Sequence, residues 1–478
     1  MSEQKFLKLF PYLTLSFTVL LAWLPVLNKY QPFSEDYLYT SLGLFGYFRL
    51  HGLWRLIGHG LVIFSTLHPM LFGVLAISAH LITVCLFFKV CQRLLGDISI
   101  SLILSLLAGI FPWGHQAMVW SPAFAFVLAT TFFWANLLIL IRFSRKNDKQ
   151  FFCFATAYCL TWLSLLCFEG LLFSFAVSGC IAWIHPGKLS LSGLRQRIVK
   201  FYSGWAPLAG CLSFVVSQYV VRLYLPSYLS QKTLVWNPES IFSVYFYQWS
   251  NIHIFQPWFN PVLRKFVFYG WNNGMGTAAI LIATLVVGSL FFFMKRLSRE
   301  EPSSPKPGLT LLFYIVLLLL GASMIYAIGG GYSLDNRKRY PIIFLLLLLF
   351  GWIWRNFLKP KIKVSNKSLL FLVALGAIGI TTTWLNTGIW QYEAMRYNSL
   401  VDFLVANNIG GNVRTEWEPD LYKAWPTLSQ TWGARMDEEG VLNPAIIYKG
   451  GQPVHATQNI KSKVARFDST ASKWRLAS

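Results

Sequence analysis

The sequence predicts an all-α integral membrane protein with about eleven transmembrane helices, exterior amphipathic helices and a small exterior C-terminal domain. Of its 478 residues, 55% are hydrophobic and only 13% are charged, which excludes an ordinary soluble domain. Apolar runs long enough to cross a bilayer recur along the chain, and basic residues cluster in alternate connectors. Composition, run length and charge placement therefore indicate the same class.

The candidate spans follow from windows of about 19 residues. The segment behind the first span, LPVLNKY, lacks the small-residue cleavage site of a signal peptide, so this span is predicted to be a retained anchor. The spans lie near residues 7–27, 68–88, 98–112, 122–141, 151–167, 170–184, 201–220, 275–294, 309–328, 341–354 and 368–387.

Basic connectors determine the predicted orientation. Under the positive-inside rule they are cytoplasmic, so the N-terminus is predicted inside and the C-terminus outside. Much of the formal charge of +22 is then a topology signal, and nucleic-acid binding is not predicted. The cytoplasmic connectors contain Lys89 and Arg93; Arg142, Arg145, Lys146 and Lys149; Lys188, Arg195, Arg197 and Lys200; Lys295, Arg296, Arg299 and Lys306; and Arg355, Lys359, Lys361 and Lys363.

Two domains are predicted. Residues 1–390 form a multispan membrane domain, with a first exterior loop over 28–65 and a long, aromatic-rich exterior loop over 221–274. The first loop is amphipathic and should lie along the membrane surface as one or two helices. After residue 390 the composition becomes polar, which predicts a small exterior domain over 391–478. It is expected to contain an amphipathic helix near 392–407 and then short strands or loops.

An adjacent acid pair, Glu35 and Asp36, follows the first span in the segment QPFSEDYLYT, in a chain with only 19 acids. Neighbouring carboxylates repel each other, and burial raises the pKa of an acid, which suits a general base that works near neutral pH. The alternative is a hydrated loop, or a cap for a helix that begins at Tyr37.

Three cations, Arg337, Lys338 and Arg339, lie in the segment GGGYSLDNRKRYPIIF, outside the membrane under the predicted topology and directly before a span. The arginine fork suits phosphate oxygens, and a phosphate carried on a lipid arrives at this height in the membrane. The alternative is attraction to anionic phospholipid heads.

The acid pair in SEDYLY, together with Arg339 and Tyr340 in NRKRYPIIFLL, resembles the GT-C superfamily of polytopic glycosyltransferases, in particular the bacterial type that uses polyprenyl-phosphate sugars. A weaker match is FPWGHQAMVWSPAF, residues 111–124, which is similar to the family's short exterior turn between the third and fourth spans. The resemblance covers roughly residues 5–390 in layout.

Another weaker match is Glu169 in CFEGLLF, which is placed like an acid that many bacterial members carry between the fifth and sixth spans. The chain departs from the family at two positions: Glu35 stands where many members have Asp, and Phe168 stands where a Lys is common. The first departure leaves open which acid of the pair is the base, because one methylene of displacement matters in catalysis.

The resemblance implies an inverting transfer of a sugar from a polyprenyl-phosphate donor to a glycan, lipid or protein acceptor, on the outer face of a bacterial cytoplasmic membrane. An exterior carboxylate takes the proton of the acceptor hydroxyl, and fixed cations hold the departing phosphate. Glu35 is the expected base, with Asp36 close behind. The expected donor-phosphate site is Arg337, Lys338, Arg339 and Tyr340, and the further candidate substrate-binding residues are Glu169, His115, Arg55, Arg222 and Arg264.

Metal dependence and two other functional classes stay open. No cofactor is certain, and a divalent metal is one option, because Glu35, Asp36, His51, His59 and Asp335 offer ligand atoms at no diagnostic spacing. An O-antigen polymerase or ligase relies on basic exterior loops more than on an acid pair. A flippase or transporter of lipid-linked glycans is expected to bury ionisable residues midway through the membrane.

Overall fold

A computed structural model describes a bundle of helices followed by a small sheet. The described residues are 3–28, 32, 35–110, 116–144, 146–184, 191–225, 237–250, 275–297, 307–328, 336–358, 366–416, 439–456, 463–468 and 473–477.

Apart from short turns and connectors, the described residues up to 406 are helical, as the all-α prediction requires. The helices before residue 226 are α1 (Glu3–Trp23), α2 (Glu35–His51), α3 (Leu56–Leu67), α4 (Pro69–Leu95), α5 (Ile98–Ile110), α6 (Gln116–Val119), α7 (Ser121–Phe143), α8 (Gln150–Cys167), α9 (Leu172–Ser178), α10 (Ile181–Ile184), α11 (Leu191–Lys200) and α12 (Ala206–Tyr224). The later helices are α13 (Pro238–Ser250), α14 (Met275–Leu297), α15 (Leu309–Ile328), α16 (Asn336–Ile353), α17 (Asn366–Ala406) and α18 (Glu439–Tyr448).

Six helices within the described ranges are long and apolar enough to cross a membrane, which supports the prediction of an integral membrane protein. They are Leu9–Leu27, Pro69–Leu95, Ser121–Phe143, Asn147–Cys167, Tyr202–Tyr224 and Lys338–Leu358. Shorter apolar helices lie at five other predicted spans, namely Ile98–Ile110, Glu169–Ile184, Thr277–Gly288, Leu309–Ile325 and Val373–Trp384. Three of these five stretches lie within the longer helices α14, α15 and α17, and the predicted count of about eleven is not confirmed.

Local sequence signals explain where several helices begin, end and bend. Pro69 and Pro122 occupy the first turns of α4 and α7, where a missing backbone N–H costs nothing. Helix α4 ends at Gly96, whose φ of 63° is the left-handed conformation that glycine adopts easily. Gly43, with a φ of 64°, interrupts α2, so this helix consists of two short pieces that meet at a kink.

The bundle core is built from aromatic rings. Phe87 on α4 lies edge-on to Trp134 on α7 and to Phe344 on α16, with ring centroids 4.9 and 5.2 Å apart. At one end of the bundle, Arg355 Nη1 lies 3.1 Å from Oδ2 of the buried Asp97. This ion pair holds together the connectors that follow α4 and α16, which the predicted topology assigns to one side of the membrane.

The helix α17 has 41 residues and is about 60 Å long, twice the thickness of a hydrocarbon core. It passes residue 390 without a break, so the polar composition after that point reflects new surroundings for the same helix. Four strands follow, β1 (Gly411–Glu416), β2 (Val454–Ala456), β3 (Lys463–Asp468) and β4 (Lys473–Ala477). The predicted division of the chain near 390 stays a prediction.

The strands form one sheet in the order β2-β1-β3-β4. The first strand pairs in parallel with β2 and with β3, and β3 pairs antiparallel with β4. A second hydrophobic core joins the end of α17, helix α18 and this sheet through Leu400, Ile446 and Val454. Among its described members, Tyr37 alone comes from the N-terminal part of the chain, and it lies beside the acid pair.

Candidate functional site

The acid pair forms the first turn of α2, which the prediction of a helix near Tyr37 anticipates. Asp36 is fully buried, and the hydroxyl of Ser121 donates a hydrogen bond to its Oδ1. Thr40 Oγ1 donates to the Asp36 backbone carbonyl at 2.7 Å. Because Ser121 is the first residue of α7, the starts of two helices meet at this carboxylate. The side chain of Glu35 lies outside the described residues.

Ser121 is a site residue that the sequence did not single out. It falls inside the segment 111–124, which resembles the short exterior turn of the GT-C superfamily. That resemblance belongs to the segment as a whole and gives no separate signal for its serine. A serine before a proline at a helix start is usually explained as a local feature. Only contact with a carboxylate 85 positions away distinguishes this one. His115, the candidate substrate-binding residue of the same segment, lies outside the described residues.

Arg55 and Glu169, predicted as separate candidates, form a fork-shaped ion pair. Arg55 Nε lies 2.8 Å and 3.1 Å from the two carboxylate oxygens, and Nη2 also donates to Oε1. The guanidinium carbon lies 4.8 Å from the ring centre of Phe168. Burial alone lowers the pKa of Arg55, but the charge and hydrogen bonds of Glu169 outweigh it, and the net pKa is raised. Each charge is therefore neutralised by the other.

The backbone at Arg55 is unusual as well. Its φ of 56° places a non-glycine residue in the left-handed region, a backbone conformation that costs an L residue roughly 1–2 kcal/mol in free energy. The fork to Glu169 and the ring of Phe168 hold the side chain in place after this turn. The pair thereby ties the start of α3 to the end of α8, and such a strained and fixed position is common at functional sites.

A cluster of rings, defined as Tyr39, Tyr47, His51 and His59, joins α2 to α3. The rings of Tyr47 and His59 are stacked with centroids 3.8 Å apart, and Tyr47 lies 4.4 Å from His51. Burial lowers the pKa of His59 to about 4, an effect that the nearby backbone of Gly43 partly offsets and the charge of His51 reinforces. His59 is therefore neutral near pH 7.

Within the described residues, the candidate metal ligands do not form a metal site. Within the described ranges, no group of three or more His, Cys, Asp or Glu side chains is arranged to hold a metal ion. His51 and His59 belong to the ring cluster, and Asp335 lies outside the described residues.

The predicted phosphate site begins α16. Lys338 and Arg339 are half-buried, and the side chain of Arg337 lies outside the described residues. Tyr340 is buried, with its hydroxyl 2.6 Å from Nδ1 of His80 on α4. Helix α16 also contacts α6, the short helix directly before Ser121. The helix that begins with these cations thus packs against the short helix that precedes Ser121.

The hydrogen bonds around His80 assign the donor in this contact. Its Nε2 faces the carbonyl of Gly109 at 3.2 Å, and a carbonyl only accepts, so Nε2 carries the proton. Nδ1 then accepts from the Tyr340 hydroxyl. The same carbonyl accepts a bond from Trp23 Nε1 at 2.7 Å. Tyr340 therefore directs its hydroxyl into the bundle, where it joins α16 to α4 and α5.

Two candidates remain, Arg222 and Arg264. Arg222 is exposed in the last turn of α12, and Arg264 falls in an undescribed segment. One turn before Arg222, the buried Gln218 accepts from the backbone N–H of Leu53 at 2.7 Å and donates to the carbonyl of His51 at 3.0 Å. Gln218 thereby fixes the turn between α2 and α3, a role with no signal in the sequence.

The described residues thus include a buried carboxylate with its hydroxyl donor, a neutralised arginine fork, a ring cluster and two half-buried cations at the start of a helix that contacts α6. Charged groups held in fixed positions suit proton removal and the binding of an anion. No protein-family model matches the sequence, and no match is found among the curated proteins.

Proposed function

We propose that the chain is a membrane glycosyltransferase of the GT-C type. In this proposal it transfers a sugar from a polyprenyl-phosphate donor to a cell-envelope acceptor on the outer face of a bacterial cytoplasmic membrane. The observation that carries the proposal is the buried Asp36 in the first turn of α2, with Ser121 bonded to its Oδ1. A carboxylate is buried only where specific bonds hold it, and such positions concentrate at functional sites.

The burial of Asp36 bears on which acid is the base. A glycan hydroxyl must come within about 3 Å of the base in a reactive complex. Asp36 has no exposed surface and is already bonded to Ser121, so it is the anchoring member of the pair. Glu35 is accordingly the proposed base, as its position in the motif also indicates.

The departing phosphate requires cations beside the base. Lys338 and Arg339 are the proposed clamp, supported by the contact of α16 with α6, which immediately precedes Ser121. An arginine fork holds phosphate oxygens at fixed geometry and stabilises the charge that develops on the leaving group. Tyr340 is assigned a supporting role, because its hydroxyl is bonded to His80.

The reaction is an inverting displacement. The oxygen of the acceptor hydroxyl forms a bond to the anomeric carbon while the bond from that carbon to the phosphate oxygen breaks. Glu35 takes the hydroxyl proton, and the polyprenyl phosphate leaves with the bonding electron pair. A positioned base contributes on the order of 100- to 10,000-fold to the rate of such a step.

The test is mass spectrometry of envelope glycans and polyprenyl-phosphate sugars in a deletion strain. The strain carries wild type, Glu35→Gln, Asp36→Asn or Arg339→Ala at matched expression. Two control variants remove the same charges elsewhere in predicted exterior segments: Glu239→Gln at the exposed start of α13, and Arg49→Ala at the exposed end of α2. The three site variants should lose one glycan modification while a monosaccharide-lipid donor persists or accumulates, and both controls should match wild type.

Two results would overturn the proposal. If the acid variants match wild type while Arg339→Ala fails, neither acid is the base. If oligosaccharide repeat units accumulate in place of a monosaccharide-lipid donor, a polymerase, ligase or transporter replaces the transferase.

A further inference from the structure

The residues on either side of the acid pair are held by one side chain from a distant part of the chain. Asn398 Oδ1 accepts a hydrogen bond from the Tyr37 hydroxyl at 2.5 Å, and Asn398 Nδ2 donates to the Pro32 carbonyl at 2.8 Å. Pro32 and Tyr37 flank Glu35 and Asp36. One amide on α17 therefore brackets the pair from 361 positions away.

Tyr37 is also packed as a core residue of the C-terminal part. It is 5% exposed, and its ring lies 5.3 Å from the ring of Tyr448 on α18. Burial raises the pKa of the Tyr37 hydroxyl, and the negative charges of Asp36 and Asp402 add to this effect. The hydroxyl therefore stays protonated and remains a donor to Asn398.

A second contact on the same helix supports the bracket. Gln391 Nε2 donates to the Pro25 carbonyl, at the segment Leu24–Asn28 that leads from α1 toward the acid pair. Gln391 and Asn398 are seven residues apart, two helical turns, so one face of α17 bonds to Pro25, Pro32 and Tyr37. From another element, α7, Ser121 holds Asp36. The first turn of α2 is thus held by both α17 and α7.

We infer that the C-terminal part of the chain positions the acid pair, and that Asn398 is the positioning residue. This inference rests on the proposed function and deepens it. It assigns to the residues after 390 the role of holding the acid pair in place for the reaction. Asn398 does not touch the reacting atoms in this assignment. It sets the place of the base, and displacement of a base by about 1 Å costs on the order of 100-fold in rate.

The alternative, purely structural explanation is that these bonds only attach the C-terminal part of the chain to the bundle. Both explanations predict that loss of Asn398 lowers stability, because a buried amide that loses its bonds costs about 1–3 kcal/mol. They differ in the kinetics of the folded protein. A positioning role lowers kcat and leaves the donor KM unchanged, whereas an attachment role alters neither once the protein is folded.

The experiment uses the full chain in lipid nanodiscs with Asn398→Ala, Tyr37→Phe and the matched control Asn407→Ala. Asn407 is an exposed asparagine directly after the same helix, and its side-chain amide bonds only to the Phe403 carbonyl in the last turn of that helix among the contacts described. Two quantities are measured for folded protein at 20 °C below its melting temperature. One is hydrogen exchange over residues 36–47, and the other is the rate of transfer from polyprenyl-phosphate sugars extracted from the host membrane.

For Asn398→Ala, exchange over 36–47 should rise at least five-fold and kcat should fall at least ten-fold with an unchanged donor KM. Tyr37→Phe should shift both quantities in the same direction by less, and Asn407→Ala should match wild type. Unchanged exchange in Asn398→Ala would show that Asn398 does not hold this turn. Raised exchange with unchanged kcat would show attachment alone, which overturns the inference and leaves the proposed function intact.

Transfer by the wild-type protein and by the two acid variants distinguishes failure of the proposed function from failure of the inference. If wild-type protein shows no transfer, or if Glu35→Gln and Asp36→Asn transfer as wild type does, the enzyme assignment falls. The inference then falls with it as a statement about a base, whatever the exchange shows.

Discussion

The hydroxyl of Ser121 donates a hydrogen bond to Oδ1 of the fully buried Asp36, and this bond joins the first residue of α7 to the first turn of α2. Hydrogen bonds to a charged acceptor are worth about 1.5–3 kcal/mol, and the loss of one leaves the acceptor poorly solvated. This contact therefore bears on both the stability of the bundle and the placement of the acid pair.

Replacement of Ser121 by alanine should lower the free energy of unfolding by about 1–3 kcal/mol and reduce sugar transfer at least ten-fold. The matched control is Ser105→Ala, because Ser105 is equally buried but its hydroxyl bonds to the Ser101 carbonyl within its own helix. Thermal melting in detergent and the glycan assay measure the two effects. Equal effects of the two substitutions would contradict the special role of Ser121.

The fork between Arg55 and Glu169 should show a measurable coupling energy. A double-mutant cycle with Arg55→Gln and Glu169→Gln is expected to give on the order of 1 kcal/mol, discounted because the Arg55 side chain is 38% exposed. The exposed pair of Lys449 and Asp402, 2.7 Å apart, serves as the comparison and should couple by less than about 1 kcal/mol. Chemical unfolding of the four proteins in each cycle measures this, and a value near zero for the fork would contradict the prediction.

His59 should make stability depend on pH. Its folded pKa of about 4 lies below the ordinary histidine pKa of 6.5, so the unfolded chain binds the proton more readily between these two values. Stability is therefore fully present above about pH 6.5 and falls as the pH drops toward 4, by up to about 3 kcal/mol. Melting temperatures of wild type and His59→Phe should diverge at high pH and converge, or cross, at low pH. A constant difference across the range would exclude this assignment.

The close approach of α3 to its neighbours should make Gly58 intolerant of a side chain. A Cβ at this position would lie 2.8 Å from the Ala125 Cβ and 3.0 Å from the Cys167 carbonyl oxygen. Gly58→Ala should therefore lower the melting temperature and disturb the site, since Arg55 and His59 belong to the same turn of chain. Gly288→Ala is the control, because its Cβ would meet nothing within 4 Å and alanine favours a helix. Similar melting temperatures for the two variants would contradict the expected clash.

The sequence by itself determined the class of the protein and the position of many helices. Hydrophobicity over about 20 residues is a local property, and therefore six apolar runs correspond to helices long enough to span a bilayer. The start of a helix at the acid pair was also readable, because Ser, Glu and Asp favour helix starts. The predicted number of about eleven spans is not confirmed, because six of the predicted spans correspond to helices that meet both the length and the hydrophobicity that a bilayer requires.

Only the tertiary structure decided which polar groups meet. Asp36 and Ser121 are 85 positions apart, Arg55 and Glu169 are 114 apart, and Tyr37 and Asn398 are 361 apart. Such pairs have no periodic or local signature, because the packing of whole helices against one another brings them together. The sequence therefore identified Asp36, Arg55 and Glu169 one at a time. The packing of the helices made Arg55 and Glu169 partners. It also bonded Asn398, from the C-terminal part of the chain, to Tyr37, the residue that follows Asp36.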